Sequence, residues 1–109
     1  MQGVNVLIAK WVDNYEPGSV ECELTDAHGR KWRFVEKLPI VTRDSLHVSS
    51  VFPQRGVIAC EVISNSIDVA AGAVAEIDTT RPWGVESTDG VTRFVVRSEQ
   101  LMTFEDADQ

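Results

Sequence analysis

The chain has 109 residues, 43% of them hydrophobic and 25% charged, which is the size and composition of one soluble globular domain with little room for a second. Seventeen acidic residues against ten basic ones leave a formal net charge of −7, which opposes binding to a nucleic-acid backbone or an anionic membrane unless a basic patch is set apart. Sixteen valines and six isoleucines outweigh five leucines, eight alanines and two methionines, so stiff β-branched side chains favour sheet over helix.

The opening residues Met1 to Asn5 carry no basic side chain, and the first uninterrupted apolar run is only Val6 to Ala9, too short for a secretory signal. The longest apolar run, Val69 to Ala75, falls far short of the roughly 20 residues that cross a bilayer. A cytoplasmic chain without membrane contact is the expectation. Strands are expected at about 4–12, 18–26, 30–38, 56–64, 73–80 and 91–97, with a shorter one near 83–88. Asp13 to Gly18 forms the first turn, and Pro39, Pro53 and Gly56 bracket an irregular stretch from 39 to 56. Within that stretch, Thr42 to Leu46 suits one helical turn with Thr42 as its cap. Segments 56–64 and 73–80 read as a hairpin with a longer loop, 65–72. The domain spans 1–104, and the acidic stretch 105–109 has no apolar anchor, so a frayed tail is expected.

Face parity fixes two pairing registers, because one residue of slip turns every side chain to the opposite face. A three-residue loop, Ala27-His28-Gly29, sets Leu24 against Trp32 and Cys22 against Phe34, whereas a two- or four-residue loop sets Leu24 against Lys31. That loop wants a left-handed third residue, which Gly29 supplies. The same register faces Glu23 with Arg33. Asp89-Gly90 reads as a two-residue turn that places Thr88 opposite Val91, Glu86 opposite Arg93, Val85 opposite Phe94 and Trp83 opposite Val96. On that register Trp83 belongs to the core, with Pro82 and Gly84 bending the chain beside it, and Arg81 belongs to the surface. Six to seven short antiparallel strands with apolar inner faces must close or stack. The expected fold is all-β, a small antiparallel barrel, with a β-sandwich as the alternative.

Catalytic patterns are absent: the chain has no Gly-x-Ser-x-Gly elbow, Walker loop, His-Glu-x-x-His, dinucleotide fingerprint or EF-hand loop. His28 and His47 lack metal-ligand spacing, and Asp78 with Glu76 on one strand face reads as a solvated pair. No enzyme activity, cofactor or metal is therefore expected. Cys22 and Cys60 both fall on apolar strand phases, as buried thiols or as one disulfide. Arg30, Lys31, Arg33 and Lys37 interleave with Trp32 and Phe34 like a stacking platform, but bases and aromatics occupy opposite faces, which disfavours nucleic acid. Tyr15, Phe52, Arg55 and Arg81 sit in expected loops, where aromatic and arginine side chains serve as partner contacts.

Gly56 to Val62, together with Arg81 to Gly90 and Phe94, resembles small bacterial all-β proteins of uncharacterised function. The resemblance implies a bacterial cytosolic setting and brings no catalytic or ligand residue. The leading expectation is a non-enzymatic binding module that engages a protein partner through loops and one barrel face. An inhibitor or immunity-type protein neutralising a basic toxin would fit the charge through electrostatic steering. The alternative class is a single-stranded nucleic-acid binder of the OB type. The oligomeric state stays open.

Overall fold

The computed structural model describes residues 1–104; the acidic stretch 105–109 lies outside the described residues. Seven strands, β1 (Gln2–Asp13), β2 (Ser19–Thr25), β3 (Lys31–Lys37), β4 (Gln54–Asp68), β5 (Gly72–Asp78), β6 (Arg93–Arg97) and β7 (Leu101–Thr103), form one antiparallel sheet. Its order is β3-β2-β1-β4-β5-β6, with β7 also on β1. One short helix, α1 (Leu38–Val41), follows β3, and a 3-10 turn, Ser98–Gln100, precedes β7. No helix of the described residues is long and apolar enough to cross a membrane.

The sheet curls into a half-barrel because its two longest strands change partner along their length. β1 pairs with β4 over Gln2 to Ile8 and with β2 over Leu7 to Asp13. Register shifts between Ile8 and Lys10, and again between Trp11 and Asp13, mark where it bends. β4 leaves β1 after Cys60 and takes up β5 from Glu61, with a further shift between Val62 and Ser64. Such bulges add bend and twist, which is how a flat ribbon curls. The two outer edges then meet: Ala27 N donates to Val95 O and Thr88 N to Arg33 O, each at 2.8 Å, while Gln100 Nε2 donates to Thr25 O at 2.8 Å.

Alternation fills the inside. Val4, Val6 and Ile8 of β1, Val20, Cys22 and Leu24 of β2, and Ile58 and Cys60 of β4 are buried with Phe34, Ile77, Phe94 and Val96. Phe94 stands edge-on to Trp32 at 5.2 Å and to Phe34 at 5.6 Å, tying the two ends of the sheet together. Cys22 and Cys60 are both free and buried, so the disulfide alternative is set aside.

The β2–β3 hairpin has the register expected from parity, with Leu24 opposite Trp32, Cys22 opposite Phe34 and Glu23 opposite Arg33. Gly29 has φ of 86°. Asp26 knots this turn: its carboxylate accepts from the His28 and Arg30 backbone N–H at 2.9 and 3.0 Å and from Trp32 Nε1 at 3.0 Å. Partial burial pushes its pKa up, but these hydrogen bonds win and hold it below the usual carboxylate range.

Four expectations are corrected. β4 runs on to Asp68, so the loop is only residues 69–71 rather than 65–72. The Asp68 carboxylate accepts from the backbone N–H of Ala70 and Ala71, both at 2.8 Å, and closes the turn early. Residues 83–88 form no strand; β6 pairs with β5 instead, placing Ile77 opposite Phe94 and Asp78 opposite Arg93. The Asp89-Gly90 turn closes on Ser87, whose hydroxyl accepts from Asp89 and Val91 N–H and whose own N–H donates to Val91 O. Arg93 accordingly reaches Glu76 and Asp78 at 3.8 and 3.6 Å, not Glu86. The helical turn lies at 38–41, with Thr42 at its C-terminal rather than its N-terminal end. Finally, Trp83 is 46% exposed and Val85, at 1%, takes the buried place, because the register that carried Trp83 inward does not form.

Candidate functional site

Three pieces of the chain converge beside the first half of β4 and leave a cleft of about 630 Å³ between them, within the roughly 300–1,000 Å³ range of ligand-binding pockets. The first piece is α1. Leu38 N donates to Gly18 O at 2.9 Å and Thr42 N to Leu38 O at 3.1 Å, Pro39 occupies the first turn, where its missing N–H costs no helical bond, and Leu38 and Val41 are buried. Gly56 lets it approach, since a Cβ there would lie 3.0 Å from Val41 O and 2.9 Å from Ile8 Cγ1.

The second piece is the loop after β5. Val85 N donates to Thr79 O at 3.0 Å, and the buried Thr79 hydroxyl donates to Val85 O at 2.7 Å. With its two ends clasped, the intervening residues Thr80 to Gly84 are pushed outward, and Trp83 lines the cleft. The third piece is the outer face of the sheet, where Asn5, Val57, Met102 and Phe104 line the cleft. Gly3 makes room for this floor: a Cβ there would meet Val57 Cγ1 and Phe104 Cε1 at 2.5 and 2.7 Å.

Among the described residues, the charged groups lining the cleft are both arginines, Arg43 and Arg55. Arg55 forms no salt bridge with another described residue. A largely apolar cleft with a half-exposed tryptophan and the Arg55 guanidinium can hold an apolar group while pairing an acid, and tryptophan and arginine are the side chains that most often anchor protein partners.

The expected contact residues separate. Arg55 belongs to β4, not to a loop, and lines the cleft. Phe52 packs partly buried against the core. Tyr15 is 83% exposed in the β1–β2 turn, and neither it nor Arg81, exposed two residues before Trp83, lines the cleft. Sequence reasoning missed Trp83 as a surface group; the available signal was the strand-free composition of Arg81 to Gly84, in which Pro82 cannot donate and Gly84 has φ of 66°.

Other chemistry is sparse. No group of three or more His, Cys, Asp or Glu residues could hold a metal ion among the described residues. Ser49 Oγ lies 2.8 Å from His47 Nδ1, but both belong to one exposed turn clasped by His47 N to Ser50 Oγ and Ser50 N to His47 O. Phe34 is fully buried and Arg30 lies 3.9 Å over the half-buried Trp32 ring, so β3 offers no open stacking face. At the other end of the molecule His28 Nε2 meets Asp68 Oδ2 at 3.1 Å. No protein-family model, curated protein or solved structure matches the chain.

Proposed function

We propose that this chain is a non-enzymatic binding module that holds a protein partner in the cleft between α1, β4 and Trp83. The observation that carries the reading is Trp83, 46% exposed at the lip of an apolar cleft whose charged lining is arginine. A large aromatic side chain held out by a clasped loop buries well only against another molecule. Arg55 and Trp83 are the anchors in this reading; Arg81 and Phe52 flank them, and Tyr15 stands apart. Two buried free thiols support a reducing, cytoplasmic setting.

The test is capture from a lysate with variants that separate folding from contact. Trp83→Ala and Arg55→Glu should each lose the captured protein, while Tyr15→Ala keeps it. Because Trp83 is half-exposed, its truncation should cost about 2 kcal/mol of stability, less than the roughly 3–5 of a fully buried tryptophan. Capture that survives both cleft variants would contradict the reading.

A further inference from the structure

β7 carries the chain to the floor of the cleft. Met102 pairs with Gly3 of β1, and Phe104 N donates to Met1 O at 2.9 Å, which fixes the backbone just past the end of β7. Met102 and Phe104, two residues apart on an extended backbone, share one face, and both line the cleft. A glycine keeps that seat open, since a Cβ on Gly3 would lie 2.7 Å from Phe104 Cε1. The stretch that follows, Glu105-Asp106-Ala107-Asp108-Gln109, holds three carboxylates and no basic side chain. The cleft it departs from is the reverse: largely apolar, with arginine as its charged lining among the described residues.

Reach allows the two to meet. Phe104 is level with Met1 on the sheet and Arg55 with Leu7, so the exposed Arg55 stands about 22 Å away, six residues along and two strand spacings across. Four extended residues carry Asp108 up to about 14 Å from Phe104, and the arginine and aspartate side chains span the rest. Charge says which surface suits this stretch. The chain as a whole carries −7, so most of its surface repels a run of carboxylates, and the arginine-lined cleft attracts one. Resting on the proposed function above, we infer that residues 105–109 are a built-in occupant of the cleft. Phe104 stays seated on the floor, the stretch crosses the cleft, and its carboxylates face the arginine lining, with Asp108 against Arg55. A protein partner then enters only by displacing the chain's own acidic segment, and the cleft favours a partner that brings its own acid together with an apolar side chain.

The test puts a nitroxide spin label on the full chain through Gln109→Cys, both native thiols being buried, and reads the paramagnetic broadening of assigned resonances. Val69 is the internal control, because it lies a similar distance from Phe104 the other way along β4. The Trp83 indole N–H and the Val57 methyls should broaden strongly while Val69 stays sharp. Neutralising the stretch with Glu105→Gln, Asp106→Asn and Asp108→Asn together, or reversing the charge of its receptor with Arg55→Glu, should each lower the ratio of docked to undocked chain about fivefold, the effect of an exposed ion pair at its strong end. Salt at about 1 M should act in the same direction. Equal broadening at Val69 and Trp83, or none at Trp83, would overturn the inference and leave the cleft reading intact, since the capture variants test that reading by themselves. Broadening at Trp83 that no charge change or salt reduces would overturn the charge-held occupant. Broadening of an isotope-labelled chain by nitroxide carried on a separate, unlabelled chain would seat the stretch in the cleft of a second copy and overturn the inference as well.

Discussion

The two thiols show how burial decides what a residue can do. Burial raises the Cys22 thiol to about 12, with Glu36 and Glu21 adding to the rise, and raises Cys60 to about 11. Since the thiolate is the nucleophile, a thiol reagent at mildly alkaline pH should label neither cysteine in the native protein and both in denaturant. Rapid labelling of either native thiol would place its strand outside the core. Glu36 behaves in the opposite sense to most surface acids: burial raises its pKa first, and the charge of Glu86 adds to it. A carboxyl whose folded pKa exceeds its unfolded one favours the fold below its ordinary range and penalises it as pH rises through the folded value. Glu36→Gln should therefore raise the melting temperature at neutral pH, with the gain shrinking toward about pH 4, near the ordinary glutamate pKa. An equal gain at both pH values would mean that its charge is not the cause.

At the scale of elements, two turns with left-handed glycines separate backbone strain from packing. Gly29 has φ of 86° and a Cβ there meets nothing within 4 Å, whereas a Cβ on Gly18, with φ of 96°, would run into the Trp11 ring atoms Cη2 and Cζ2. Gly29→Ala should cost about 1–2 kcal/mol from the backbone alone. Gly18→Ala should cost at least about 1 kcal/mol more, because Trp11 is held by its Nε1–H to Asn14 Oδ1 bond at 2.7 Å. Equal losses in thermal denaturation would show that Trp11 does not sit over Gly18. The β2–β3 turn was legible in the sequence because loop length, glycine position and face parity there all demand one register. The β4–β5 and Ser87–Val91 turns were not, because one carboxylate and one hydroxyl close them by bonding backbone N–H groups, and composition does not show which side chain will do so. Trp83 followed from the second of these errors: once β6 pairs with β5, nothing carries the tryptophan inward. The cleft was legible only through Arg55, since its walls come from five separate stretches of chain.

For the molecule as a whole, the inner faces of β1, β2, β4, β5 and β6 make one core, and the edge strands β3 and β6 are joined through turn hydrogen bonds rather than a ladder, which leaves a half-barrel. The most direct measurement is residue-resolved amide hydrogen exchange on the free chain along β4. Amides from Ile58 to Cys60, buried in the core, should exchange at least about a hundredfold more slowly than that of the fully exposed Val69 just beyond the strand. Equally fast exchange at Ile58 to Cys60 would mean that β4 does not run through the core, and would contradict the half-barrel on which the cleft is built.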